Sequence, residues 1–238
     1  MTIRTAWRWC AAIGIIAFIC SGLFGRIPGL VACGRTGGLA PIMAFEFART
    51  TGDIAAMFGS EPCTSTFVAA QKTGLLLDGL GFIPSYTGFL ILATIGSSGR
   101  GWIRAVVIAA LLIAGLSDEI EGFFLNAILD RLPGSPALLN GLWWAVHVKF
   151  ALLAGSTIAI GCLLMRRRSV AKMFGVLIFT AGVAAFYGVG HVPTETMTLG
   201  FLYGWTTLLI AALTASFWPS LFSPAPAALQ PGRAAPSA

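Results

Sequence analysis

A small group of ionisable residues interrupts an otherwise apolar sequence near its middle. Asp118, Glu119 and Glu121 close the apolar run at 102–116, and Lys149 lies inside the next apolar run. A carboxylate in a poorly hydrated site can act as a general acid or base, and a lysine beside it can pair with it or hold an anion. These residue types together predict one site of acid/base chemistry or ion pairing.

Helical spacing places the charged residues at one depth. Lys149 lies 17 residues from Arg166, or about 25 Å along a helix, and Asp118 and Asp78 lie about 24 and 28 Å from the corresponding ends of their runs. A lone lysine at such a depth costs about 2.5–3.5 kcal/mol on insertion scales. We therefore expect Lys149 to pair with Asp118 first and Asp78 second.

The predicted catalytic set is completed by Glu121, which is three residues from Asp118 and shares its helix face, whereas Glu119 points elsewhere. The alternative is a buried ion pair that fixes helix packing and does no chemistry. Five further residues are predicted to bind substrate around this set: Glu46, Arg49, Tyr86, His147 and His191.

Metal and cofactor chemistry is not indicated. His147 lies beside Trp143 and Trp144, which resemble the aromatic belt at a membrane interface, and His191 follows Tyr187 by one turn. Two histidines without a ligand-spacing motif are a weak metal signal, and no nucleotide-binding or hydrolase motif occurs. We predict neither a metal nor a cofactor.

Composition identifies the class of chain. Of 238 residues, 57% are hydrophobic and only 10% are charged, and the mean hydropathy is +0.86. Soluble domains carry about 25% charged residues, so this chain is predicted to be a polytopic membrane protein. The formal charge of +6 comes from basic residues in short connections, which indicates topology and excludes a nucleic-acid partner.

The predicted fold is an all-α bundle of about six transmembrane helices plus one outer amphipathic helix. It forms a single domain over 1–218, followed by a disordered tail at 219–238 that is rich in Pro, Ala and Ser. An uncleaved first helix is the default, and lipidation at Cys33 is the alternative. The six apolar runs are 9–25, 74–95, 102–121, 141–165, 170–189 and 199–217.

Charge distribution predicts sidedness. With six spans, nine basic residues, including the run at 166–168, fall on the side of the N-terminus and six on the other. Both termini are therefore predicted to be cytoplasmic, in a bacterial inner membrane. All nine acids and both histidines fall on the opposite side, which indicates a functional face there, or reflects the longer loops on that side.

The long connection at 26–73 is expected to lie outside the cytoplasm. Within it, apolar residues recur at helical spacing over 41–59 and predict an amphipathic helix on or in the outer leaflet. Glu46 and Arg49 are three apart and can pair. The helix is interpreted as a lid over the site or as a plug in the bundle mouth. Cys33 and Cys63 bracket it, and in an oxidising compartment they are expected to form a disulfide.

Several short motifs resemble those of an uncharacterised family of small bacterial multi-pass membrane proteins. They are Phe45-Glu46-Phe47-Ala48, then Asp78 with Phe82-Ile83-Pro84-Ser85-Tyr86, then Asp118 with Glu121, and finally Lys149. The resemblance covers about residues 41–150. It departs from the pattern at Gly122, where Asn is expected, and in an extra residue before Phe82. The resemblance implies no known activity.

Three classes of function agree with these observations. The first is an intramembrane enzyme acting on a lipid or another apolar substrate from the outer leaflet, with Asp78, Asp118 or Glu121 as acid or base and Lys149 as an anion partner. The second is a structural or assembly subunit, which would require a membrane-protein partner. The third is a proton-linked transporter of a small solute. Membrane lipid is the partner expected in every case.

Overall fold

The structure is a computed structural model that describes residues 2–98, 101–189, 191 and 195–222, all numbered as in the sequence. Helices make up nearly all of these residues, and no strand occurs among them. The elements are α1 (Ile3–Phe24), α2 (Pro41–Glu46), α3 (Thr51–Phe58), α4 (Cys63–Leu77), a π segment (Asp78–Phe82), α5 (Ile83–Ser97), α6 (Trp102–Asp130), α7 (Pro136–Met165), α8 (Ser169–Gly188), α9 (Glu195–Phe217) and a 3-10 turn (Pro219–Phe222).

Five helical stretches are long and apolar enough to cross a membrane: Ile3–Phe24, Cys63–Ser97, Pro136–Met165, Val170–Gly188 and Glu195–Phe217. Their outward faces carry large apolar side chains such as Trp9, Phe186 and Leu202, which are more than half exposed. Contact between so much apolar surface and water is unfavourable, so these faces require contact with lipid. α6 has 29 residues but is not among the five, because Asp118, Glu119 and Glu121 interrupt its apolar sequence.

The long helices form a closed ring. α1 packs on α5, α5 on α6, α6 on α7, α7 on α8, α8 on α9, and α9 returns to α1. We call the end of the ring near Arg166 the arginine end and the opposite end the cover end. At the arginine end, Arg167 donates from Nε and Nη2 to the carbonyl of Ser97, at 3.1 and 2.8 Å, and joins the connection between α7 and α8 to the end of α5.

Glycines allow α7, α8 and α9 to approach backbone to backbone. A Cβ on Gly161 of α7 would lie 2.6 Å from the backbone nitrogen of Phe179 on α8. A Cβ on Gly200 of α9 would lie 2.5 Å from the backbone nitrogen of Ala185. Small residues at such contacts are the usual means of packing helices in a membrane, where no hydrophobic force separates protein from lipid.

α4, the π segment and α5 form one continuous stretch, which begins before the predicted run at 74–95. The wider turn at Asp78–Phe82 has a local cause. The amide of Ile83 donates to the carbonyl of Asp78, five residues back, and Pro84 has no amide with which to continue the ordinary pattern. Because α4 starts at Cys63, the connection between α1 and α4 is shorter than the predicted connection at 26–73.

The connection between α1 and α4, residues 26–62, contains two short helices instead of the single amphipathic helix predicted over 41–59. We call this connection the cover. α2 ends at Glu46, and α3 starts anew after Thr50, whose side chain accepts from the amide of Asp53 in a capping box. The prediction overlooked this Thr-x-x-Asp start signal, which ends one helix and begins another.

The apolar side of the cover packs on protein. Phe45, Ile54 and Phe58 are almost fully buried and belong to one cluster with Ile128 of α6 and Leu142 of α7. The cover therefore packs across the mouth of the ring. The lid and the plug interpretations of this region stay predictions. The predicted disulfide is present between Cys33 and Cys63, whose Cα atoms are 5.8 Å apart, and it joins the cover to the first residue of α4.

The chain ends differ from the predicted boundaries. α1 starts at Ile3, six residues before the predicted run, because Thr2 caps it. The predicted tail at 219–238 begins with the 3-10 turn, in which Phe222 is buried against Trp7 with ring centroids 5.5 Å apart. The remainder of that predicted tail, 223–238, lies outside the described residues.

Candidate functional site

Lys149 of α7 is surrounded by three carboxyl groups from two other elements, α6 and α2. Its ammonium nitrogen lies 2.6 Å from Glu121 Oε2 and 3.0 Å from Asp118 Oδ1 on α6, and 3.4 Å from Glu46 Oε2 on α2. All four side chains are at most 8% exposed. We call these four residues the lysine cluster. The predicted pairing of Lys149 with Asp118 is present, and the cover adds the carboxyl group of Glu46.

Tyr86 positions the second oxygen of Asp118. The Tyr86 hydroxyl donates to Asp118 Oδ2 at 2.7 Å, and the Tyr86 ring stacks on Trp205 of α9 at 5.5 Å between centroids. Asp118 is thus held from α5 and from α7 at once, which leaves its carboxylate little rotational freedom. Tyr86 was predicted to bind substrate, and in the structure its hydroxyl is committed to Asp118.

Charge in the lysine cluster is unbalanced, because three carboxyl groups face a single ammonium group. Two excess negative charges would be costly in a buried site, so protons or another cation must reduce them. Burial raises the pKa of Glu46, and the neighbouring Lys149 offsets that effect only in part. Glu121 Oε2 makes the shortest of the three contacts with the Lys149 ammonium nitrogen, at 2.6 Å.

Asp78 lies beside the lysine cluster rather than in it. The π segment starts at Asp78, and its carboxylate is not within ion-pair distance of any cation that the structure describes. It lines a narrow cavity of about 10 Å³ beneath the cover, together with Glu46 and Gln71. The rest of the lining is mostly apolar: Phe24, Ile42, Phe45, Leu75 and Leu125, with Gly74.

Three of the residues predicted to bind substrate lie outside the cluster. The Arg49 guanidinium stands over the Trp143 ring, 4.6 Å from its centroid, and does not pair with Glu46 as the sequence suggested. His147 Nδ1 is 2.8 Å from the carbonyl of Trp143, and His191 Nδ1 is 2.6 Å from that of Tyr187. Both histidines therefore have hydrogen-bond partners on their own chain segments.

Sequence reasoning missed several residues that complete the cluster. The Lys149 ammonium nitrogen lies over the Phe150 ring, 4.3 Å from its centroid. The Trp205 ring stacks on the Tyr86 ring. Gln71 is buried and donates to the carbonyl of Pro41 at 3.5 Å, tying α4 to the cover. Aromatic residues are frequent in such a chain, so nothing in the sequence distinguished these from lipid-facing ones.

Among the described residues, no group of three His, Cys, Asp or Glu side chains is placed to hold a metal ion. In the lysine cluster, the Lys149 ammonium group occupies the point where the three carboxyl groups converge, so it takes the position that a metal ion would need.

Fold and site define the chain as a multi-pass integral membrane protein with a buried, charge-unbalanced cluster under a disulfide-linked cover. Comparisons with family models, with curated proteins and with solved structures found no match. The resemblance to a family of small bacterial membrane proteins therefore stays a prediction.

Proposed function

We propose that the protein is an intramembrane enzyme that acts on a lipid or another apolar molecule entering from the outer leaflet. One observation carries the proposal. Three buried carboxyl groups converge on one ammonium group, and a fourth, that of Asp78, lines the adjoining cavity without a described ion-pair partner. Such an arrangement holds exchangeable protons next to an apolar space, which acid/base chemistry on an apolar substrate requires.

We propose that α6 is a sixth span, because it packs between α5 and α7 and its 29 residues give a helix about 43 Å long. Its acids face the ring or the cover end and do not need lipid contact, except for the exposed Glu119. With six spans, the basic run at 166–168 lies on the side of both termini. The positive-inside rule then favours cytoplasmic termini in a bacterial inner membrane.

Each proposed role follows from the surroundings of the side chain. Asp78 is the acid or base that reaches substrate, because it lines the cavity. Asp118 and Glu121 hold and relay protons around Lys149, and Lys149 stabilises negative charge that develops on the substrate. The π segment supports a role for Asp78, because π turns inside α-helices occur frequently at functional sites.

Access to the site would require the cover to move, because the cavity has room for about one water molecule. Glu46 is the residue through which the cover contacts Lys149, and at 3.4 Å this is the longest of the three ion pairs. A substrate that displaced α2 would therefore break the longest contact of the cluster and leave the two contacts from α6 in place.

The test is a comparison of lipid profiles. Full-chain protein in nanodiscs is incubated with a total bacterial lipid extract, and the products are identified by mass spectrometry. The matched variants are Asp78→Asn, which removes one of the two acids that line the cavity without changing the size of the side chain, and Asp130→Asn, which alters an exposed acid outside the cluster.

Wild type and Asp130→Asn are expected to convert one lipid species that Asp78→Asn leaves unchanged. Equal thermal stability of the two variants would assign the loss to chemistry. Identical lipid profiles for wild type and Asp78→Asn would overturn the proposal.

A structural role is the second candidate, and the tight filling of the site favours it. Lys149 already touches three carboxyl groups, and little free space surrounds them. Lys149→Ala and Asp118→Ala, alone and together, test this role. A double variant that folds as well as wild type, when both single variants are unstable, would identify a packing ion pair. Stable but inactive single variants would support the enzyme.

Proton-linked transport would require polar groups leading from the lysine cluster to the arginine end. The buried hydroxyls of Thr94 and Thr157 lie in that region, but they donate to backbone carbonyls of their own helices, those of Leu90 and Leu153. No observation therefore favours the transporter over the first two candidates.

A further inference from the structure

A second cavity lies on the outer surface, between the cover and the first turns of α7. It has a volume of about 250 Å³ and is lined by Arg49, Thr50, Thr51, Pro136, Leu139 and Asn140. None of these is acidic, and four carry hydrogen-bond donors on their side chains. This cavity is far larger than the one beside Asp78 and does not share any lining residue with it.

Arg49 supplies the positive charge of this cavity. Its guanidinium is kept in place by the Trp143 ring, with 4.6 Å to the centroid, and is not within ion-pair distance of any acid that the structure describes. A cation–π contact does not use the N–H donors of a guanidinium, and the Arg49 side chain donates no hydrogen bond to another described residue. A cation fixed in this way is well suited to bind an anion.

The nearest acid is already committed. Asp53 Oδ2 accepts from the backbone amides of Arg49 and Thr50, at 3.0 and 2.8 Å. Slight burial raises the pKa of Asp53, but these hydrogen bonds outweigh it and leave the pKa below its ordinary value. The negative charge of Asp53 thus offsets the partial positive charge at the N-terminus of α3, and its carboxylate does not pair with the Arg49 side chain.

Neutral donors complete the lining. The Thr51 hydroxyl and the Asn140 amide have no hydrogen-bond partner among the described residues. Thr50 Oγ1 accepts from the amide of Asp53, and the Thr50 side chain also hydrogen-bonds the Asp53 carboxyl group, so Thr50 adds no free donor. One guanidinium with hydroxyl and amide donors around a concave space is the chemistry that recognises a phosphate group.

The cavity also lies at the right height in the membrane. Along α7, Trp143 is about 35 Å and Asn140 about 39 Å from Arg166 at the other end. The hydrocarbon core is about 30 Å thick, and the headgroup layers extend the bilayer to about 40–45 Å. If Arg166 marks the inner edge of the core, Trp143 falls in the outer headgroup layer and Asn140 lies at its outer edge, next to the lipid phosphates.

We propose that the cavity lined by Arg49, Thr51 and Asn140 binds a phosphate group, carried by a phospholipid headgroup or present as free phosphate. The site is separate from the lysine cluster and does not depend on the proposed enzymatic function. Arg49 forms charge-assisted hydrogen bonds to the phosphate oxygens, and Asn140 and Thr51 add neutral ones.

The experiment is native mass spectrometry of the full chain released from detergent, titrated with phosphatidylglycerol, with diacylglycerol of the same acyl chains, and with inorganic phosphate. Arg49→Gln is compared with Arg35→Gln, which removes an exposed arginine of the same cover that does not line the cavity. Asn140→Leu is a second variant that keeps the cation and removes a donor.

We expect wild type and Arg35→Gln to retain phosphatidylglycerol, and Arg49→Gln to bind it roughly tenfold more weakly, because a charge-assisted hydrogen bond is lost. Diacylglycerol should bind no more tightly to wild type than to Arg49→Gln. Saturable binding of inorganic phosphate that depends on Arg49 and displaces no lipid would identify free phosphate as the ligand.

Equal phosphate and lipid binding by wild type, Arg49→Gln and Asn140→Leu would overturn the proposal. Should Arg49→Gln fail to fold, Asn140→Leu decides, with weaker phosphatidylglycerol binding expected and unchanged binding contradicting the site.

Discussion

Two sides of the helix ring are joined in opposite ways, although α7 belongs to both. Where α7 meets α8 and α8 meets α9, glycines such as Gly161 and Gly200 bring backbones into direct contact, and no charged side chain is needed. Where α7 meets α6 and the cover, Lys149 binds carboxyl groups from both. We call these the glycine side and the charged side.

The contrast shows what each kind of contact can provide. Backbone contact through glycine depends on shape alone, so it fixes the distance between helices and tolerates no added atom. Ion pairs are costly to bury and add little net stability over apolar packing, but breaking one leaves an uncompensated charge. The charged side is thus the part of the ring where a change in protonation or a bound molecule has the largest effect.

Removing the ammonium group should produce the largest effect. Lys149→Met leaves the three carboxyl groups of the cluster without their cation, and we expect a loss of about 3–5 kcal/mol in the free energy of unfolding. Lys72→Met is the matched control, because Lys72 pairs with Asp130 at 2.6 Å on the surface. It should cost at most about 1 kcal/mol. Denaturant unfolding in mixed micelles measures both, and equal losses would contradict the distinct role of the charged side.

Opening the disulfide should detach the cover from the charged side. Cys33→Ser removes the bond to Cys63 and is expected to cost about 2–4 kcal/mol, since the cover gains freedom in the unfolded chain. The exposed loop of the cover should then be cut by protease faster than in wild type. Cys162→Ser, which alters a free cysteine of α7, is the control. A gel shift on reduction should occur in wild type and in Cys162→Ser but not in Cys33→Ser.

An added side chain tests the glycine side. Gly161→Leu would force α7 away from Phe179 of α8, and we expect a loss of about 1–3 kcal/mol from overpacking. Gly155→Leu is the control on the same helix, because a Cβ there meets nothing within 4 Å. Thermal unfolding in detergent compares the two variants. If Gly155→Leu is as unstable as Gly161→Leu, close backbone contact is not what holds this side together.

The smallest expected effect concerns the start of α3 in the cover. Asp53→Asn removes a negative charge that stabilises this helix start, at a cost of about 0.5 kcal/mol at neutral pH. The pKa of Asp53 is lower in the folded protein than in the unfolded chain, so its contribution is present at neutral pH and is lost as the pH falls through the folded pKa. Amide exchange in α3 should therefore differ between wild type and Asp53→Asn at neutral pH and converge in acid.

Much of the architecture could be predicted because a bilayer imposes simple rules. The apolar runs had the length of membrane spans, and five of the six predicted ones appear as candidate spans. Equal depth along helices correctly paired Lys149 with Asp118, but it also placed Asp78 with them, and Asp78 makes no ion pair with a described cation. The Cys33–Cys63 bond was predicted from their positions on either side of the amphipathic region and is present.

The details of the cover could not be predicted from periodicity. The region at 41–59 has helical spacing of apolar residues throughout, so the break between α2 and α3 depends on one capping box at Thr50. Glu46 pairs with Lys149, 103 residues away, and not with Arg49, its helical neighbour. Local spacing favoured the Glu46–Arg49 pair, because the position of α7 does not enter a local pattern.

The sequence by itself determined that the chain belongs in a membrane and how far along each apolar segment its few charges lie. Hydropathy and helical rise are properties of individual segments, so no knowledge of neighbours is needed to apply them. The tertiary structure decided which carboxyl groups share Lys149, that Asp78 lies beside them on a narrow cavity, and that Arg49 lines a second cavity. Those choices depend on how helices rotate and pack against one another, which segment-level properties leave open.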